Sequence, residues 1–275
     1  MFLMVPLASA ADLHVPADHA TIQAAVDAAT AGDVVVIAAG THDGPVSIAK
    51  DITLRGAGQW GPSGTEIRGG GTSVLTISDA DVTLELLRVE PTGGRALLVE
   101  QSALPTAAHL VDVFFNGGST GDRGGSIRTL GGATLTVQGG QISNATATQS
   151  GGLISLEGPA TFDGVWLSNG HAGENGGCIV ARVGSSLSIS DSWVVDCVAV
   201  LAGGGIFTDA SAPLTLDWVT VWNSTAGTNG GGVYAWGDTT ISGALLFGNE
   251  AGDRGGGLFL DGDDATVSNS TFREN

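Results

Sequence analysis

The chain has 275 residues, a formal charge of −18 and only 14% charged side chains, with 42% hydrophobic residues and 45 glycines. That apolar content excludes intrinsic disorder, and an acidic surface carrying a single lysine, Lys50, disfavours nucleic acid and anionic membranes as partners. It also repels polyuronates unless a divalent cation bridges. Glycine stands at over twice its usual share of about 7%, in keeping with a repeat architecture.

Residues 1–10, MFLMVPLASA, read as the end of a secretory signal: the apolar run Phe2–Leu7 precedes the A-x-A site Ala8-Ser9-Ala10. The mature domain is then expected over 11–275, in an exported, oxidising compartment. No apolar run approaches the roughly 20 residues of a membrane span.

Within 15–33 the spacing of Ile22, Ala25, Val26 and Ala29 predicts a short amphipathic helix over Thr21–Thr30, capped by Asp18 or Thr21. It is expected to plug the N-terminal end of a coil stack, because the first coil of a solenoid lacks a neighbour on one side. Val34–Ala38 follows as a buried strand. Residues 15–58, through TIQAAVDAATAGDVVVIAAGTHDGPVSIAKDITLRGAG, resemble the opening of secreted right-handed β-helix proteins, the pectate-lyase-like and pectin-methylesterase-like families among them.

Residues 34–123 are expected to form irregular coils. Ser73–Ile77, Val82–Val89, Ala96–Val99 and His109–Phe115 alternate like strands, and Gln59–Gly64, with Trp60 and Pro62, reads as a projecting loop.

From Gly124 onward the chain is periodic. Gly-Gly pairs start at 124, 151, 176, 203, 230 and 255, each followed two residues later by Ile127, Ile154, Ile179, Ile206, Val233 or Leu258 as the first inward aliphatic after a variable residue. A second apolar anchor lies eight residues further on, at Leu135, Phe162, Leu187, Leu214 and Ile241, and one residue late at Val267. Each repeat ends on Asn144, Asn169, Asp196, Asn223, Asn249 or Asn275, expected to stack as one ladder in left-handed turns. The glycines are expected to supply positive φ and to let successive backbones approach closely. Short strands at fixed period without crossover helices can stack in parallel only by winding as a coil. These GGxI units, with Phe272-Arg273-Glu274-Asn275 as a full FxxN and degenerate slots led by Gln141, Trp166, Trp193, Thr220 and Leu246, look like the repeats of polymorphic outer-membrane proteins.

Together the two resemblances imply an all-β, right-handed, single-stranded parallel β-helix with a short N-terminal capping α-helix. At about 25 residues per coil, nine or ten coils would span roughly 45 Å. The resemblance also implies a bacterial secreted or outer-membrane location, as a passenger continuing beyond Asn275.

The candidate chemistry is sparse. Cys178 and Cys197 are the only cysteines; export permits a disulfide, although 19 residues within a coil of about 26 separate them across the ring unless Cys197 begins a folded-back turn. Asp261, Asp263 and Asp264 crowd one turn and offer oxygen ligands for Ca²⁺, without the spacing of a known calcium loop. Asp122 and Asp253, in two copies of Gly-Asp-Arg-Gly-Gly, could form a carbohydrate-binding row with Glu174, against the plainer reading of solvated Asp–Arg turns whose loss costs little. The catalytic constellations of polygalacturonases, pectate lyases and pectin methylesterases are not recognisable: Gly170-His171-Ala172 precedes Gly262-Asp263-Asp264 in the wrong order, Arg128 and Arg182 stand isolated, and Gln138 and Gln141 lack a matching Asp pair. The sequence therefore favours an exported non-catalytic β-helix without a cofactor, acting as a surface-displayed scaffold or adhesin-like passenger for a glycan or protein ligand. The alternatives are a polysaccharide-active enzyme, a lyase or hydrolase, and a carbohydrate-binding module.

Overall fold

A computed structural model describes residues 10–262 and 264–275. Apart from Ala10, the expected export signal lies outside them, as does Asp263. The chain is an all-β parallel β-solenoid of about 10 turns, with one helix among the described residues. A coil contributes to three sheets; in one coil the strands are Thr134–Gln138, Gln141–Ala147 and Ile154–Leu156, and in several others the middle strand is split in two, as at Trp193–Val195 and Val198–Ala199. Strands of successive coils pair in parallel and build an 11-stranded, a 14-stranded and a 9-stranded sheet, denoted sheets 1, 2 and 3 in that order.

The inward file of sheet 3 is continuous. Ile127 pairs with Ile154, Ile154 with Ile179, Ile179 with Ile206, and Ile206 with Val233, all fully buried. Like side chains stacked at the strand spacing of about 4.8 Å pack on one another, and this file is part of the buried hydrophobic cluster that runs through the coils.

Sheet 1 corrects the expected anchor file. Leu135, Ala160, Leu187, Leu214 and Thr239 form one inward column; Val137, Phe162, Ile189, Leu216, Ile241 and Val267 form another. Phe162 and Ile241 therefore belong with Val267, which is in register with Ile241. The repeats starting at Gly151 and Gly230 are two residues shorter between sheets 3 and 1. Because the side-chain period of a strand is two, the shortening moves the anchor along the strand and leaves it on the inner face. In the irregular coils, the expected strands 82–89 and 109–115 each break at a sheet 1–sheet 2 corner, where Leu86 (φ 55°) and Asp112 (φ 48°) turn left-handed.

The glycine pair does what its spacing predicts. The first glycine of each pair has φ between 63° and 72°. The second lies against the backbone of the sheet 2 strand: a Cβ on Gly177 would stand 2.5 Å from the Val198 nitrogen and 2.1 Å from the Gly204 oxygen. An alanine there would have to displace backbone.

The N-terminus closes with a helix in the place of a strand. A strand, Asp12–Val15, opens sheet 1, and α1 (Ile22–Ala28) follows, packed on Val46–Ile48, the first strand of sheet 3. Thr21 caps α1 by accepting from the Ala24 N–H. Gln23 does what a neighbouring strand would: its Oε1 accepts from Ser47 N–H (2.8 Å) and its Nε2 donates to Ser47 O (3.2 Å). Lys50 donates to the carbonyls of Val26, Asp27 and Ala29 at the helix C-terminus. Sequence periodicity finds the helix but not this edge-satisfying amide.

Candidate functional site

The stacked asparagines form two ladders, not one. Asn144, Asn169, Asp196 and Asn223 occupy left-handed corners (φ 60°, 57°, 55° and 52°) on the outside. There Asn144 Nδ2 donates to Asn116 Oδ1, Asn169 Nδ2 to Asn144 Oδ1, and Asn223 Nδ2 to Asp196 Oδ1. Asp196 has no donor to pass to Asn169, so the outer ladder is interrupted at that rung. Asn249 and Asn275 fall one residue later: Gly248 takes the left-handed corner, while Asn249 aligns with Ser224 and is buried. Asn249 Oδ1 accepts from Ser224 N–H, its Nδ2 donates to Val221 O and Asn275 Oδ1, and Asn275 Nδ2 donates to Leu246 O. The same slip turns the leading residue inward. Leu246 and Phe272 share the inner column with Val221, whereas Trp166 and Trp193 face out. The sequence thus carries two superposed four-residue motifs, one residue apart in frame.

Cys178 and Cys197 form a disulfide with a Cα–Cα distance of 5.4 Å. Cys197 occupies the inner column of Ser224 and Asn249, close to the end of its coil, where the chain folds back over the glycine turn that carries Cys178. The cross-ring separation expected from a spacing of 19 positions is removed by this return. Both residues are fully buried.

The rung containing Asp122 is real but is not a row of carboxylates. Backbone hydrogen bonds link Asp122, Gln149, Glu174, Leu201, Thr228 and Asp253 in succession, so other side chains separate each carboxylate from the next. Asp122 is no free solvated turn. It accepts from Arg95 (2.6 Å), whose side chain is 4% exposed, and pairs with Arg128, which also faces Glu157 at 3.8 Å. Arg128 is therefore engaged, not isolated. Among the described residues Asp253 pairs only with its neighbour Arg254, at 3.6 Å on the exposed surface. Asp261 accepts from the Tyr234 hydroxyl at 2.7 Å, in a stack of Phe207, Tyr234 and Phe259 on the outer face of sheet 3. Desolvation, reinforced by that hydrogen bond, pushes the Tyr234 pKa up to about 12. Asp264 O accepts from Thr239 N–H, and Asp263 lies outside the described residues, among which no three His, Cys, Asp or Glu side chains converge as a cation cage.

The most varied chemistry lies on the outer face of sheet 2, along two parallel columns. One reads Thr41, Glu66, Arg88, Phe114, Gln141, Trp166, Trp193, Thr220, Leu245 and Thr271. The other runs from Asp43, Arg68 and Glu90 to Val195, Trp222, Phe247 and Arg273. Its N-terminal half is a charged lattice: Arg68 pairs with Glu66 and, at 2.9 Å, with Glu90, which also takes Arg88 and Asn116. Burial, then the Arg68 charge, lowers the Arg88 pKa from its ordinary value. Its C-terminal half is aromatic: Trp166 and Trp193 stack at 5.8 Å, Trp222 and Phe247 at 6.3 Å, and Arg273 lies over Phe247. Sequence reading misses this face because its members sit 22 to 27 residues apart and converge only through coil register. The signal was present in the alternation of each strand, once coil length is known.

The loop Gln59–Gly64 overhangs the charged half and walls a concavity of about 430 Å³, lined in part by Thr41, Gln59, Glu66, Arg68 and Arg88. Trp60 stacks on Phe114 at 4.6 Å, and the Arg88 guanidinium lies over the same ring at 4.8 Å. No described helix is long and apolar enough to cross a membrane, which leaves strand-built barrels unaddressed. No family model, no curated protein and no solved structure matches the chain.

Proposed function

We propose that this chain is an exported, non-catalytic β-solenoid that displays the outer face of sheet 2 as a recognition surface, in the manner of an adhesin-like passenger. The kinship proposed is with secreted right-handed β-helix proteins bearing polymorphic outer-membrane-type repeats. The observation that carries the reading is the exposure of Trp166, Trp193 and Trp222 on a backbone fixed by stacked coils. Large aromatics left exposed in file on a rigid sheet mark interaction surfaces more often than folding requirements. Binding of the purified chain to cell-surface and extracellular-matrix preparations tests the reading, with the Trp166→Ala/Trp193→Ala double variant as control. Binding weakened at least tenfold in the variant supports it; undiminished binding, or none by the parent, removes it.

A second reading, a polysaccharide-active enzyme, rests on one observation. Glu66 and Glu90 are carboxylates on adjacent coils, joined through Arg68 beside an open concavity. A turnover screen on polygalacturonate, pectin and alginate, with and without Ca²⁺, addresses it. Turnover abolished by Glu66→Gln or Glu90→Gln would replace the first reading.

A further inference from the structure

The aromatic half of sheet 2 stands in a one-sided charge environment. From Thr129 to Gly252 the chain carries nine carboxylates against a single lysine or arginine, Arg182. Arg182 lies between a sheet 3 strand, Ile179–Ala181, and a sheet 1 strand, Ser186–Ser190, on the corner that sheet 2 does not share. Several of the carboxylates border the indoles. Asp163 and Asp217 end sheet 1 strands, Asp191 takes the next position on the coil of Trp193, and Asp196 holds the far corner of that coil. None of these four has an ion-pair partner among the described residues.

Coil register brings carboxylate and indole together. Ser190 pairs with Asp217, so Asp191 stands beside Trp218 on successive coils, both in left-handed corners (φ 45° and 54°). Trp218 is 66% exposed. It lies against Gly243, where a Cβ would stand 2.9 Å from the indole Cδ2. The ring is thus seated on bare backbone and leaves most of its surface to solvent.

The chain itself shows which group the rings of this face accept. Toward one end of the stripe the Arg88 guanidinium lies over Phe114 at 4.8 Å, and at the other Arg273 lies over Phe247 at 4.5 Å. Between these two, no cation of the described residues covers Trp166, Trp193, Trp218 or Trp222. Indole attracts a cation more strongly than the phenyl ring does. A neutral saccharide would use the rings and leave the carboxylates uncompensated, and an anionic one would be repelled by them.

Taking this face as the recognition surface proposed above, we infer that its occupant is a cationic segment of a partner protein, with arginine side chains laid on the exposed indoles and paired with Asp191 and Asp217. Arginine suits the site because its planar fork stacks on a ring and still offers N–H groups to a carboxylate. Calorimetry of the whole chain with an oligoarginine peptide, and with the uncharged oligocitrulline of equal length, tests the assignment. Oligoarginine should bind, less tightly as salt is raised, and oligocitrulline should not. Trp193→Ala/Trp218→Gly and Asp191→Asn/Asp217→Asn should each weaken oligoarginine binding about tenfold. Glycine at 218 and asparagine at 191 suit left-handed corners, so thermal unfolding should show both variants folded. Asp209→Asn/Asp238→Asn removes the same charge between sheets 3 and 1 and should leave binding within about twofold, since distant exposed charges are screened. Failure of oligoarginine to bind, equal losses from the two aspartate pairs, indifference to Trp193→Ala/Trp218→Gly, or equal binding of oligocitrulline would each overturn the inference. A glycan bound through the stripe in place of oligoarginine would overturn it and leave the recognition surface standing. Oligoarginine binding without stripe-dependent adhesion to cell-surface or matrix preparations would sink the adhesin-like reading and leave the cationic class.

Discussion

The two copies of Gly-Asp-Arg-Gly-Gly hold the same rung of the solenoid and should answer to mutation differently. Asp122 is the partner of Arg95, a guanidinium buried to all but 4%; Asp253 and Arg254 are 63% and 69% exposed. Asp122→Ala removes the 2.6 Å charge-assisted bond and leaves Arg95 with only the carbonyls of Gly124 (3.3 Å) and Arg123 (3.2 Å). Breaking a fully buried ion pair costs roughly 3–5 kcal/mol. Because Asp122 is 43% exposed and two acceptors remain, about 1–3 kcal/mol is the expected loss. Asp253→Ala should stay within about 0.5 kcal/mol, as exposed pairs do. Arg95→Met combined with Asp122→Ala should recover part of the loss, since an apolar side chain carries no charge to strand. Urea unfolding of the four proteins, with midpoints and slopes fitted separately, measures all of this. Equal losses at Asp122 and Asp253, or a double variant no better than Asp122→Ala, would refute the reasoning.

The single tyrosine gives a clean optical titration: tyrosinate absorbance should appear only near pH 12, and Asp261→Ala should bring it back toward the ordinary value near 10. A raised folded-state value means that this contribution to stability is complete below pH 10 and is lost as the pH rises through 12; ionisation near 10 in the parent would contradict the burial. Asn249→Ala, which strands Ser224 N–H and Val221 O inside, should cost about 2–4 kcal/mol, whereas Asn223→Gly, at an outer left-handed corner, should be nearly neutral; similar melting losses would contradict the two-ladder assignment. Removing the Cys178–Cys197 bridge by paired serines should cost about 3 kcal/mol on loop entropy, and thiol release by reductant should follow unfolding because both sulfurs are fully buried. Rapid reduction of the native chain would refute that burial. The N–H groups of Ala103, Ser102 and Leu104, with the Ser102 hydroxyl, hold the Asp79 carboxyl far below its usual range, and Ala11 N–H, then Thr30, lower that of Asp33. Depressed folded values contribute full stabilisation above the unfolded carboxylate pKa near 4, and that contribution is lost progressively as the pH falls from there through the depressed folded value. Amide protection at residues 102–104 and 11 should therefore drop on acidification beneath pH 4, and constant protection would speak against it.

The solenoid was legible in the sequence because each coil states its inward file again: Ile127, Ile154, Ile179, Ile206 and Val233 need no tertiary knowledge to be aligned. What was hidden is frame. Counting from the glycines hides the two-residue shortening that puts Phe162 beside Val137, and counting from the asparagines hides the one-residue slip that buries Asn249. Identical letters at a near-constant period look equivalent, and only register separates an outer amide from an inner one. The charged lattice of Glu66, Arg68, Arg88 and Glu90 escaped for a related reason: its members lie in the irregular coils, where no periodic marker fixes the frame. The pairing of Asp122 with Arg95 was missed because a buried arginine follows from a return of the chain that composition does not encode.

The coil length itself carries a further consequence. From Ile206 to Leu216 the inward residues of sheets 3 and 1 are ten positions apart, from Val233 to Ile241 eight, and from Leu258 to Val267 nine, with both columns kept in register. The turn joining the two sheets therefore takes up residues singly as well as in pairs while the interior stays sealed. Lineages of such a chain are free to vary that rim in length, and a designer wishing to graft a peptide onto the rod has the same latitude.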